Sequence, residues 1–192
     1  MKKKICIYLF NGFSDWEIAY LTPEIKKNET FELVYFSKDG KPIVSMGGLR
    51  ISQDSSLAAI NTDAIEMLIL PGGLAWETNE NDVIDAFIKN LFEKEKTIAA
   101  ICAATAYLAK KGFLDTLKHT SNDLNYLKRI APHYLGEQHY VNALAVTDEN
   151  LITANGIAPI EFARDIFKKV KLDNENAIEK WFQLFKNGIW KE

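Results

Sequence analysis

The sequence predicts a doubly wound α/β sandwich, and three observations carry that prediction. Short apolar runs recur along the chain without the strict alternation of a half-exposed strand, which suits a parallel sheet covered on both faces. Helical patterns separate those runs, in the alternating order that parallel crossovers require. The chain has 192 residues, 47% of them hydrophobic and 26% charged, enough to bury one substantial core.

In chain order, ICIYLF (5–10) reads as the first buried strand, followed by the helical pattern DWEIAYLTPEIKK (15–27). ELVYFS (32–37) is the second strand, and PIVSMGGLRIS (42–52) breaks the rhythm with two shorter strand signals around Gly47 and Gly48. MLILP (67–71) precedes the helix DVIDAFIKNLFEKEK (82–96), and TIAAI (97–101) precedes AATAYLAKK (103–111). Gly112 is placed to end that helix just beyond its C-cap. YVNALAVTDENLITA (140–154) reads as a hairpin with Asp148, Glu149 and Asn150 at its tip, its second arm LITA being a further buried strand. Two helices close the chain, PIEFARDIFKKV (159–170) and a last one over residues 174–187. The last spaces Ile178, Trp181, Phe182 and Phe185 as an apolar stripe, to be docked on its own domain or on a partner. There is no internal repeat, low-complexity segment or linker, so one domain over residues 1–192 is expected.

Charge and cysteine usage narrow the function classes. The formal charge of −3 and the isoelectric point near 5.7 come from interspersed acids and bases, with only the basic run at residues 2–4. Nucleic acid and an acidic membrane surface are therefore not expected as partners. The apolar stretch after that run is broken by Asn11 and Gly12 with no small-residue cleavage pattern, so neither a signal peptide nor a membrane helix is expected. A cytoplasmic location follows as the expectation. There are two cysteines, Cys6 and Cys102, with no Cys/His ligand spacing, so no metal and no cofactor is expected.

In a doubly wound sheet, ligands bind outside the carboxyl ends of the strands. That rule selects residues 11–17, 71–77, 102–103 and 119–122. Cys102 sits where a strand turns sharply into a helix, and the small residues Ala100 and Ala104 on either side are what a nucleophile elbow requires. A helix starting at Ala103 would aim its free N–H groups and positive dipole end at the sulfur, favouring thiolate. The same cysteine reads equally as a small hydrophobe filling a core. Cys6, inside an apolar strand with no elbow, reads as core. LILPGG lets the backbone present unobstructed N–H groups, so Gly73 and Ala103 together are candidate oxyanion donors; a plain turn explains PGG as well. In NGFSDWE, Ser14 or Asp15 is a helix cap and Glu17 either an ordinary first-turn carboxylate or a carboxyl within reach of the Cys102 sulfur. Trp76, beside Glu77, is a candidate pocket-lining residue.

NGFSDWE after the first strand, LILPGG after a middle strand, AAICAAT at the elbow with GFLD ten residues on, and NGIAPIEFA near the carboxyl end together resemble the ThiJ/PfpI family of the class I glutamine amidotransferase-like superfamily. The resemblance covers about residues 3–170. It implies a flavodoxin-like three-layer sandwich with a mainly parallel central sheet, a cysteine at the elbow (Cys102), a glutamate hydrogen-bonded to it (Glu17), oxyanion donors at Gly73 and Ala103, and a homodimer. One departure stands out. Active relatives often carry a histidine near the cysteine where this chain has Asn122, and asparagine takes no proton at neutral pH, so Asn122 lines the pocket without acting as a base. His119 lies three positions earlier, which on a strand is the opposite face.

Two functions from different classes follow. One is a small-molecule hydrolase or lyase of the amidase, deglycase or glyoxalase type, working through a covalent Cys102 intermediate. The other is a non-catalytic redox or stress-response protein whose Cys102 is oxidised. A glutamine amidotransferase domain is a weaker third, since the downstream histidine and glutamate pair it needs is not apparent.

Overall fold

The computed structural model describes residues 2–190. In chain order the elements are β1 (Lys3–Tyr8), α1 (Thr22–Lys27), β2 (Phe31–Ser37), β3 (Ile43–Val44), β4 (Arg50–Ile51), β5 (Ser55–Ser56) and β6 (Ile65–Leu70). They continue with α2 (Asp85–Glu93), β7 (Thr97–Ile101), α3 (Ala103–Lys110), α4 (Leu124–Ile130), β8 (Ala145–Asp148), β9 (Leu151–Ala154), α5 (Pro159–Val170) and α6 (Glu175–Asn187).

One seven-stranded sheet runs β5-β2-β1-β6-β7-β9-β8, and every pair is parallel except the hairpin β8–β9. The middle of the sheet is apolar on both faces: Ile5 lies between Leu33 and Met67, and Ala99 lies between Ile69 and Ile152. These residues are buried because helices cover the sheet on two sides. On one side α1, α5 and α6 pack together, with Asn28 donating to Leu172 O at 2.9 Å and the Phe167 and Trp181 rings 4.8 Å apart. On the other, α2 and α3 meet through Tyr107, which donates to Asp85 at 2.6 Å, and through the stacked rings of Phe92 and Phe113. The result is a three-layer, flavodoxin-like α/β sandwich with a mainly parallel sheet, as the alternation of strand and helix predicts.

The two interruptions are real elements. β3 and β4 form a small antiparallel hairpin around Gly47 and Gly48, and Asp148 to Asn150 turn the chain between β8 and β9. Gly112, at φ +77, ends α3 with Phe113 N–H donating to Leu108 O and its own N–H to Ala109 O, the paired bonds that close a helix through a glycine.

The helical pattern of residues 15–27 is where the structure departs most. It divides into a 3-10 turn at Asp15–Glu17 and the short α1, which carries a proline in its first turn. Asp15 does not cap the turn. Its Oδ2 accepts from Ser45 Oγ at 2.5 Å and from Gly47 N at 3.1 Å, pinning the β3–β4 hairpin, while Glu17 is turned inward. Helix α4 is not among the elements that the sequence pattern marks. Asp123 caps it, accepting from Asn125 N and Tyr126 N, a signal that the sequence displays but that a seven-residue helix is too short to reinforce by periodicity. Among the described residues no helix is long and apolar enough to cross a membrane.

Candidate active site

β7 delivers Cys102 to the carboxyl edge of the sheet. Its backbone stands at φ +59 and ψ −129, and α3 starts at the next residue. A side-chain-bearing residue held there stores roughly 1–3 kcal/mol of strain. The surroundings enforce it: Cys102 N–H donates to Ala154 O at 3.0 Å, Thr105 Oγ1 donates to Cys102 O at 2.6 Å, and Ala100 and Ala104 are both buried against the turn. The thiol is half-buried, in contrast to Cys6, which lies wholly inside the core of β1.

Glu17 meets this thiol from the turn after β1. Its side chain is 0% exposed, and Gly72 N–H donates to Oε2 at 2.5 Å. Oε1 has no hydrogen-bond partner among the described residues. Glu17 and Cys102 converge on Gly72: a Cβ there would stand 2.7 Å from Cys102 Cβ, 2.9 Å from Glu17 Oε2 and 3.0 Å from Oε1. Burial pushes the Glu17 carboxyl up to about 7, against the opposing pull of the Gly72 and Cys102 hydrogen bonds. Burial also pushes the Cys102 thiol up, to about 11, and the Glu17 charge adds to the rise; Asn122 and the Ala103 N–H pull it down by less. Helix onset alone thus does not make the sulfur a resting thiolate, contrary to the expectation from the helix dipole. Desolvation outweighs it.

Asn122 closes the third side. Its Nδ2 donates to Cys102 Sγ at 3.4 Å, and its Oδ1 accepts from Gly156 N at 2.8 Å, so the amide is fixed from both ends. The strip that carries it is tied down by Thr120 N donating to Thr153 Oγ1, by the Ser121 and Thr105 hydroxyls 2.6 Å apart, and by Asn155 Nδ2 donating to Asn122 O. His119 points away: it is buried with Nδ1 at 2.7 Å from Leu117 O and Nε2 at 2.5 Å from Tyr134 OH. His133 is exposed and His139 lies on the far strip beside Tyr140.

Ala103 opens α3 directly after the thiol, and its N–H draws the Cys102 thiol down by less than burial raises it. Gly73 stands at φ +148, and a Cβ there would meet the Phe10 ring and Gly12 O, so the position is held to glycine. Of the two glycines after Pro71, Gly72 is the one that presses on Cys102. Trp76 requires a correction. It is 1% exposed, its Nε1 donates to Pro71 O at 2.8 Å, and its ring packs among Tyr8, Phe10 and Tyr107, so it is a core residue and does not line a pocket.

Two glycines against the thiol and two side chains bonded nearby were not singled out in the sequence. Besides Gly72, a Cβ on Gly156 would come within 2.8 Å of Cys102 Sγ. Trp16 Nε1 donates to Gly156 O at 3.4 Å, and Tyr126, one turn beyond Asn122, donates to Glu77 Oε1 at 2.8 Å. Asn155 and Gly156 were legible by the same rule that selected the other loops, because they follow directly the carboxyl end of β9.

An elbow cysteine facing a buried carboxyl on a flavodoxin-like sheet defines a recognisable class. A family model described as the DJ-1/PfpI family matches residues 3–169, and the chain belongs to that family. It is 38% identical over 191 residues to the uncharacterized protease YoaZ of Bacillus subtilis, covering 96% of this chain and 91% of that one. It is 32% identical over 119 residues to a deglycase of Thermococcus kodakarensis, covering 62% and 71%. The crystal structure of a thiJ/pfpI family protein from Bacillus anthracis superposes with a TM-score of 0.89 at 38% identity, covering 98% of this chain and 92% of that one.

Proposed function

We propose that this protein is a hydrolase-type enzyme that attacks a small carbonyl compound with the Cys102 sulfur, using Glu17 to carry the proton. The observation that carries this reading is the convergence of the half-buried thiol and the fully buried Glu17 carboxyl on Gly72. Relatives named deglycase and protease agree with a hydrolase-type chemistry.

The step balances without a histidine. With Glu17 ionised, the Sγ–H proton passes to its carboxylate as sulfur bonds to the carbonyl carbon, and the C=O π pair moves onto oxygen. The new alkoxide is met by the Ala103 N–H at the start of α3 and takes the proton from Glu17, giving a hemithioacetal or, from an amide, a tetrahedral adduct. Asn122 donates to the sulfur throughout and exchanges no proton. Because Glu17 must be ionised to accept the proton and its carboxyl titrates at about 7, activity rises with pH through that value. A second copy of the chain as partner is supported by apolar side chains left exposed, among them Trp16, Met46 and Ile157, and a cytoplasmic location by the free cysteines.

The test is turnover of methylglyoxal and of a chromogenic amide, with intact mass recorded after each. Turnover of either that vanishes in Cys102→Ser and Glu17→Gln supports the proposal. A wild-type protein that turns over neither, yet gains two oxygens on Cys102 under mild peroxide, overturns it in favour of the redox reading, in which the donors around the sulfur hold a sulfinate.

A further inference from the structure

Two hydroxyls behind the elbow have their protons fixed by a count of donors. Thr105 and Ser121 are 0% and 1% exposed, so neither hydroxyl faces solvent. Thr105 Oγ1 stands 2.6 Å from Cys102 O and 2.6 Å from Ser121 Oγ. A carbonyl oxygen only accepts and a hydroxyl has one proton to give, so the Thr105 proton lies on the bond to Cys102 O. The proton between the two hydroxyls therefore belongs to Ser121. The bonds form a one-way relay, from Ser121 to Thr105 to the Cys102 carbonyl, in which each donor strengthens the next.

The two ends of the relay hold different things. At one end Cys102 O accepts from Thr105 Oγ1 and also from Thr105 N, at 3.1 Å. The Cys102 ψ of −129 sets where that carbonyl points, so the relay grips the strained residue itself. At the other end Ser121 directly precedes Asn122, whose Nδ2 donates to Cys102 Sγ at 3.4 Å. Asn122 Oδ1 and O accept from Gly156 N and Asn155 Nδ2, in the loop after β9. Those bonds moor Asn122 to a neighbouring loop; the relay moors its strip to the elbow. We propose that Thr105 and Ser121 are positioning residues, which hold the Asn122 amide against the Cys102 sulfur and so favour the negative charge that sulfur takes up as it loses its proton. The inference rests on the reading of Cys102 as the nucleophile. A hydrogen bond weakens steeply as its angle closes, so a small tilt of the strip is felt at the sulfur while the fold stays intact.

The test is iodoacetamide alkylation of Cys102 against pH in the full chain, located by the mass of the modified peptide. Cys6 is 0% exposed and stays unmodified while the protein is folded. No substrate takes part, so the outcome does not depend on whether a carbonyl compound is turned over. Thr105→Val keeps the shape and removes the relay, and it moves the curve to higher pH by about half a unit or more, part of what one hydrogen bond to a charged group supports. Ser121→Ala removes only the first donor and moves it the same way by less. Thr105→Ser keeps the hydroxyl and stays near wild type. In an Asn122→Ala background none of the three moves the curve further, because the donor they position is gone; lost packing alone would not give that pattern. Curves for Thr105→Val and Ser121→Ala that superimpose on wild type overturn the proposal. So does a shift of equal size in the Asn122→Ala background, which would mean that the relay reaches the sulfur without Asn122. Should Thr105→Val lose its fold by circular dichroism, Ser121→Ala in the two backgrounds decides.

Discussion

Replacing Glu17 by glutamine removes a buried charge and leaves the shape, and its effect on stability can be worked out. The carboxyl rises from an ordinary 4.5 to about 7 on folding, with burial as the main cause. Between those values the folded protein holds a proton that the unfolded chain has lost, so stability falls as pH rises, by about 1.4 kcal/mol per pH unit. The whole loss is about 3 kcal/mol; it is absent below the unfolded value and complete above the folded one. Glu17 is fully buried, so solvent screens little of this effect. The glutamine side chain keeps an oxygen for the Gly72 N–H and does not titrate. The variant therefore matches wild type near pH 4.5 and exceeds it above pH 7. For a chain of this size 1 kcal/mol moves the thermal midpoint by roughly 2–4 °C, so the gain at about pH 8 is roughly 6–12 °C. Thermal unfolding followed by circular dichroism across that pH range measures it. A difference that is flat with pH, or a variant less stable than wild type above the folded value, refutes the reasoning.

Three further outcomes are expected. Iodoacetamide alkylation of Cys102 shifts to lower pH in Glu17→Gln, because the charge that raises the thiol is gone, and to higher pH in Asn122→Ala, which loses the donor at 3.4 Å; superimposable curves for wild type and Glu17→Gln mean that the pair is not coupled. Gly72→Ala places a methyl 2.7 Å from Cys102 Cβ and costs about 1–3 kcal/mol of stability in a urea titration, with alkylation altered at the same time. Cys102→Gly releases backbone strain at φ +59 and leaves stability near or above wild type, whereas Cys102→Val lowers it by about 1 kcal/mol or more, again read by urea midpoints.

The parallel sheet was legible because its strands are buried on both faces and therefore apolar without a break, from ICIYLF to TIAAI. The elbow was legible because its packing demands small neighbours, and Ala100 and Ala104 stand there. Trp76 misled for a physical reason: a tryptophan next to a glycine loop has the same composition whether its ring turns to solvent or into the core, and Tyr8, Phe10 and Tyr107, which draw it inward, are far away in sequence. Gly72 and Gly156 escaped notice because a glycine's role as a contact surface depends on what lies opposite, which only the fold supplies. The breaking of residues 15–27 likewise came from Asp15 committing its carboxylate to Ser45 and Gly47, about thirty residues away.

The wall of the thiol site on the Gly72 and Gly156 sides is main chain. Neither residue admits a methyl group without displacing Cys102 or Glu17, so that part of the site has no side chain for selection to exchange. Changes in what such a scaffold accepts must then arise one ring outward, at positions such as Trp16, Glu77, Tyr126 and Ile157, where side chains are half-buried or exposed. A mutant library aimed at new substrates would be richest there, and divergence among lineages carrying this elbow should concentrate at the rim while the floor stays glycine.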